Sequence, residues 1–392
     1  MADTLMLVLA LLVVPVAIAW KIAFSRLRFE TDPSPQLKTF FWITSGLFVV
    51  LAVGLGILST FLLKEKPWTP ARAGTPGGPQ DPWIEGARRR LVGSLAVSPD
   101  GKILATGSGF EEITLWNLAT LKRATTLKGH RDEVVALAFS PDGKKLVSGG
   151  NDHHVILWNV AERTKLADLG EHAGNVTAVA FSPDGKYVAS AGRDNTVKVW
   201  IVDSKQNHAI FRSHSGEVTD VAFSPDGKIL ATTSRDGTLR LWSVAEKVLL
   251  ETLRSREWHL TSVAFSRDGT KLATGSGFHI AGGSDNCGVE SPVELWHVAG
   301  RTHRATWKGH NCDITRVAFH PVTDLLASAS RDGTVRLWNL ARGATIRVLK
   351  TESGAVQSLA FSPDGKTLFT GGSDEYIKLW DVKTGRNTAT LE

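Results

Sequence analysis

Seven tryptophans on one beat constrain this chain more than any other feature. Apolar-flanked Trp residues recur as ITLWNL (Trp116), VILWNV (Trp158), VKVWIV (Trp200), LRLWSV (Trp242), VELWHV (Trp296), VRLWNL (Trp338) and IKLWDV (Trp380). Successive intervals are 42 residues, except for one of 54 between Trp242 and Trp296. Ser-Pro-Asp-Gly keeps the same beat at Ser98, Ser140, Ser182, Ser224 and Ser362, with degraded copies starting at Ser266 and His320. A period in this range signals a repeat architecture, whose units bury their faces only against one another. The repeat is 42 residues long with a 12-residue insertion in the fifth copy, and counting back from Glu392 starts it at Ala87.

Within a copy the apolar pattern is short and alternating, which predicts strands. In the second copy the predicted strands are 134–139, 144–149, 154–160 and 165–169. Ser140-Pro141-Asp142-Gly143 supplies the first turn, with Pro presetting φ and Gly accepting positive φ; Asn151-Asp152 supplies the second. Four antiparallel strands with such short links make one sheet with two apolar faces. Seven sheets stacked round an axis bury both faces of each.

A Gly-His pair, an inner strand and an apolar-Trp ending at this spacing resemble the WD-repeat β-propellers, over residues 87–392. The resemblance implies an all-β, seven-bladed WD-repeat β-propeller. The residue after Trp is Asp only at Asp381. Such rings often close by lending an N-terminal strand to the last blade. Here the last copy carries its own outer strand at 387–392, so blades one and seven are expected to meet without exchange. Blade one is the weakest copy, with Val97 for the usual Phe and Phe110 for the turn Asp, so the seam is expected to open first.

The resemblance also assigns four buried hydrogen-bonded tetrads. They are His130, Ser148, Asp152 and Trp158; His172, Ser190, Asp194 and Trp200; His214, Thr232, Asp236 and Trp242; and His310, Ser328, Asp332 and Trp338. Acid, His and hydroxyl together also spell nucleophilic catalysis. Four equivalent copies would mean four identical active sites in one ring, so the structural role is expected. Copies one, five and seven hold Arg88, Arg256 and Glu352 at the His position.

The N-terminal eighty residues read differently. Residues 5–20 are uncharged and extend through Lys21 to about residue 24, and residues 39–63 are twenty-five uncharged residues between Lys38 and Lys64. At ~1.5 Å per residue the second segment spans a ~30 Å hydrocarbon core. Two transmembrane α-helices, about 5–24 and 39–63, form a predicted hairpin (residues 1–63), followed by a Pro/Gly-rich linker at 64–86 and the propeller at 87–392. Ala17-Ile18-Ala19 leaves signal cleavage as an alternative, against which Asp3 and the absence of Lys or Arg before Lys21 both speak. The loop holds Lys21, Arg26, Arg28 and Lys38; beyond the second helix stand Lys64, Lys66 and Arg72. That count favours an extracytoplasmic propeller by one charge and leaves the side open.

A formal charge of +6, spread over 392 residues, does not mark a nucleic-acid binder, and two cysteines are too few for a disulfide framework. The motif search predicts no cofactor, no metal and no catalytic residue. His279, Asp285, Cys287 and Glu290 in the insertion match no common ligand spacing. Cys287 and Cys312 both map to the top face at blades five and six, with their pairing left open. Candidate partner-binding residues on that face are Arg193, Arg235 and Arg331, with Glu133, Glu217 and Asp313 as possible ion-pair partners, plus Trp258, His259 and Phe278. Trp307 matches Leu127 by repeat position and is assigned to the core. The expected function is a membrane-tethered protein–protein interaction scaffold, not an enzyme. The alternative is a membrane-bound receptor or small-ligand sensor using the top face or the central channel.

Overall fold

The computed structural model describes residues 91–109, 111–255, 259–277, 287–351 and 354–392. All lie within the unit Asp81–Glu392. The sequence-predicted membrane helices and linker fall outside the described residues, as do Trp258 and Phe278. Among the described residues no helix is long and apolar enough to cross a membrane.

Among the described residues twenty-eight strands form seven four-stranded antiparallel sheets, each built from four consecutive strands. Blade two shows the pattern: β5 (Val134–Phe139), β6 (Lys145–Gly150), β7 (His154–Asn159) and β8 (Thr164–Glu171). Blade one begins with β1 (Val92–Val97), β2 (Ile103–Ser108) and β3 (Glu112–Asn117). Blade seven ends with β26 (Thr367–Gly372), β27 (Ile377–Asp381) and β28 (Asn387–Leu391). β28 pairs with β27, so each of these two blades keeps its own strands.

The turn chemistry explains why the strands fold back. Ser140 Oγ donates to Asp142 (2.6 Å) and accepts the Lys145 N–H (2.8 Å), while Gly143 takes φ 70°. In blade six His320 replaces the Ser. Its Nδ1 accepts the Val322 and Thr323 N–H groups (3.1 and 2.9 Å), whereas the Ser hydroxyl of the other copies accepts the N–H five residues on. Its Nε2–H then donates to Gly365 O of blade seven (2.9 Å), tying two bottom turns together. The degraded copy therefore gains a contact between blades.

The buried side chains form seven apolar clusters, and each cluster draws on two neighbouring blades. Trp158 of blade two, 1% exposed, packs with Ala105, Ile113, Leu115 and Leu127 of blade one. Trp307 is buried and stacks on Trp338 of the next blade, ring centroids 5.7 Å apart. At the seam, Val92, Leu95, Leu104 and Trp116 of blade one meet Phe369, Ile377, Leu379 and Leu391 of blade seven. The backbones approach so closely that a Cβ on Gly371 would lie 2.5 Å from Val92 Cγ1. Apolar burial at ~25 cal/mol per Å² of surface is what holds such a ring.

Truncating one interface tryptophan leaves a cavity that two blades line. Trp158→Ala is expected to lower stability by about 3–5 kcal/mol, read as a shift in the urea midpoint without a change in slope.

Candidate functional site

The start of each inner strand, the end of the second and the start of the third share one face of the ring, here the top. In blade two the Trp158 Nε1–H donates to Ser148 Oγ (2.8 Å), whose O–H donates to His130 Nε2 (2.6 Å). His130 Nδ1–H donates to Asp152 (2.9 Å), which also accepts the Arg131 N–H (2.9 Å). The same series runs from Trp200 through Ser190 and His172 to Asp194. It recurs from Trp242 through Thr232 and His214 to Asp236, and from Trp338 through Ser328 and His310 to Asp332. In blades three, four and six a Thr hydroxyl (Thr196, Thr238, Thr334) also donates to the carboxylate.

Electrostatics fixes the direction of the chain of bonds. At His172 burial disfavours the imidazolium, and the Asp194 charge offsets this only in part. A neutral ring donates from Nδ1 and accepts at Nε2, which orients the Ser190 hydroxyl. At Asp152 burial opposes ionisation, but the bonds from His130 and the Arg131 N–H outweigh it and hold the carboxyl at about 2. The Asp236 and Asp332 carboxyls are held below the usual range in the same manner. Ser148, Ser190, Thr232 and Ser328 have no exposed surface. A hydroxyl enclosed between an indole and an imidazole has no open side for a substrate, so these four sites pin top-face loops to their sheets.

In the other three blades the described residues show the first link. Trp116 donates to Thr106, Trp296 to Thr274 and Trp380 to Thr370, at 2.9–3.0 Å. In blade seven Asp374 pairs with Lys378 (2.8 Å).

On the top face Glu217, just before the inner strand of blade four, takes two arginines: Arg193 of blade three (3.7 Å) and Arg235 of its own blade (3.3 Å). Within blade two Asn151 donates to Glu133 (3.2 Å), and Asn175 of blade three donates to Asn151 (2.9 Å). His259 is half-buried, and its Nδ1–H donates to the Arg235 carbonyl, so it ties blade five to blade four. Arg331 and Asp313 lie with Arg235 and His259 around a cavity of about 280 Å³. Inner-strand residues of six blades line that cavity, which places it at the mouth of the central channel. Cys287 and Cys312 form a disulfide. It anchors the end of the blade-five insertion to the loop after His310, and it removes Cys287 from any metal site. Among the described residues no His, Cys, Asp and Glu group could hold a metal ion.

Two features escaped the sequence reading. Thr177, Thr219, Thr261 and Thr315 each donate to a backbone carbonyl of the next blade at 2.5–2.8 Å, a collar round the channel. The signal was present, since Thr recurs there at repeat intervals. One residue further on, where other copies carry Ser or Ala, stand Asp220 and Arg316. Their side chains pair at 2.8 Å from blades four and six, across blade five, and Ser262 donates to the buried Asp220 carboxylate (2.8 Å).

Six stretches match the family model described as WD domain, G-beta repeat: residues 121–159, 163–200, 205–243, 248–287, 301–339 and 343–381. Together they cover more than half of the chain, which therefore belongs to the WD40 family. Each match starts near the outer strand of one blade and runs into the next, and all but 248–287, which stops short of the third strand of blade five (Ser291–His297), take in that third strand; seven blades therefore yield six matches. Among curated proteins, nothing matches the chain as a relative.

Asp236→Ala strands His214 and is expected to cost about 1–3 kcal/mol in thermal or urea unfolding. Acid gives a second test. A carboxyl held at about 2 in the fold and ~3.9 when unfolded contributes stability that is complete above the unfolded value. That contribution is lost as the pH falls through about 2. Asp152→Asn should therefore lose less stability than the native chain between pH ~4 and ~2, by calorimetry.

Proposed function

We propose that this protein is a membrane-tethered interaction scaffold that presents the top face of a WD40 propeller to a protein partner. The observation that carries the reading is the channel mouth. There residues of six blades line one polar concavity, Arg235 and Arg331 among them, and Glu217 pairs Arg235 with Arg193 of the neighbouring blade. WD40 propellers in general bind protein partners, which is an argument from fold. Arginine is among the residues that most often carry binding energy at interfaces. Glu217 holds two of the three guanidinium groups in place before a partner arrives, which lowers the ordering cost of binding.

The tether rests on the twenty-five uncharged residues 39–63, long enough to span a bilayer. Confinement to a surface raises the effective concentration of the platform toward partners in the same membrane. The Cys287–Cys312 disulfide supports placing the propeller on the extracytoplasmic side, where thiols are oxidised. In this reading the protein has no chemistry of its own.

In sealed vesicles with the cytoplasmic face outward, added protease should leave residues 87–392 intact until detergent is added. Thiol titration of the denatured chain should find no free thiol before reduction and two after it. Digestion of the propeller in intact vesicles would reverse the orientation. A captured partner should lose about tenfold in affinity on Arg235→Ala. A small-molecule-induced melting shift with no protein partner would favour the sensor reading instead.

A further inference from the structure

The bottom turns form a ring of contacts of their own, and it is interrupted at one place. Among the described residues five turn glycines sit on the turn proline of the preceding blade, as Gly143 sits on Pro99. Between blades six and seven it is His320 that meets the glycine, Gly365. Between blades five and six both partners are lost, with Arg267 in the proline's place and Thr323 in the glycine's. A cavity of about 320 Å³ opens there, with Phe319 and Leu340 in its lining from the margin of the apolar interface. Val322 borders it where the other turns carry Asp. At 60% it is the most exposed large apolar side chain among the described residues. Arg267 brings a positive charge from blade five and Asp324 a negative charge from blade six. Arg267 donates to the Pro321 carbonyl (3.4 Å), and neither residue forms an ion pair among the described residues. The other two charges of the lining, Lys271 and Asp268, pair with each other (3.7 Å).

A second break in the repeat lies on the same face. In blade four β15 (Thr238–Ser243) and β16 (Val248–Arg254) are joined by a bottom turn. The Val244 N–H donates to the Lys228 carbonyl (3.0 Å), which sets this turn beside Ser224-Pro225-Asp226-Gly227. Val248 and Leu249 are 47% and 39% exposed, at repeat positions where the other blades carry polar residues or Ala. Glu246 and Lys247 precede them, both exposed and without an ion pair among the described residues. Further along β16, Arg301 of blade five takes the Leu250 carbonyl (3.2 Å) and the Glu251 carboxylate (3.6 Å). The bare stretch is therefore the tip, from Glu246 to Leu249.

The two breaks are complementary. One is a hollow with an apolar floor between a cation and an anion. The other is an apolar knob preceded by an anion and a cation. We propose that the hollow between blades five and six receives the β15–β16 turn of a second copy of this chain. Val248 and Leu249 lie against Phe319, Leu340 and Val322, while Lys247 meets Asp324 and Glu246 meets Arg267. Hollow and knob share one face, so a two-fold axis lets each copy give and receive the same contact, the commonest closed arrangement of homo-oligomers. An apolar centre with opposite charges at its rim is the usual composition of a specific interface. The contact uses the bottom face and leaves the top face of each copy clear, so it does not depend on what the channel mouth binds.

Cysteine cross-linking of the full chain in detergent tests this. The native Cys287 and Cys312 are bonded to each other, which leaves an added thiol as the reactive one. Copies carrying Val322→Cys, mixed with differently tagged copies carrying Val248→Cys, should form a disulfide-linked heterodimer on mild oxidation. Copies with Thr164→Cys, the exposed equivalent of Val248 in blade two, replace the second partner as the control. Lys247→Glu in the Val248→Cys copies should cut the yield about tenfold by setting two carboxylates together, and Asp324→Lys in the Val322→Cys copies should restore it. A yield no higher than that of the control, or one that Lys247→Glu leaves unchanged, overturns the proposal. Joining of Val322→Cys to a protein other than this chain overturns it too, and gives the hollow to a different partner.

Discussion

Burial between blades is the interaction on which the rest of this structure depends. Each of the seven apolar clusters takes residues from two adjacent sheets. A four-stranded sheet of this size has two apolar faces and no second layer of its own, so a single blade has nothing to fold against. Closure matters for the same reason, because an open stack would leave one face bare at each end. The wedge geometry follows from side-chain size. Large residues such as Trp158 and Trp307 fill the outer part of the interfaces, while Gly149 sits so close to its neighbour that a Cβ would fall 2.3 Å from Val176 Cγ1.

Polar contacts are arranged round that apolar annulus. The tetrads fasten top loops to the second and third strands. The threonine collar links inner strands across blade boundaries near the axis, and the His320–Gly365 bond does the same on the bottom. Each net contribution is small, on the order of 1 kcal/mol, but a buried donor or acceptor left without its partner would lose more than the bond gains. The polar network therefore specifies how loops and blades register, and the apolar interfaces supply the driving force. The Asp220–Arg316 pair extends that logic over three blades, since its two ends cannot meet unless blade five stands correctly between them.

The repeat made the fold legible, and the reason is that a 42-residue period assigns every residue an address within its blade. Strand positions in blade two agree with the pattern to within two residues at each end. Trp307 could be read as core from its equivalence to Leu127, and it is buried. The address does not say what the next blade offers at the same height. For that reason Asp220 and Arg316 were invisible as a pair, being two copies apart. Nor does the address show that the His259 ring donates to the Arg235 carbonyl of the neighbouring blade. The insertion breaks the period, so no repeat argument reaches Cys287, whose bond to Cys312 needed coordinates.

The same reasoning bears on where recognition can reside. Inner strands and tetrads are committed to holding the ring, and changing them alters stability before it alters binding. The top-face loops are different, because they sit on the rigid annulus while their tips face outward. Glu217 illustrates the division: its backbone leads into an inner strand, while its carboxylate pairs with Arg193 and with Arg235, which lines the channel mouth. The disulfide adds a second fixed point on that face by clamping the end of the insertion to the blade-six loop. A surface pre-ordered at both places loses little entropy on meeting a partner, which is the property an interaction scaffold requires.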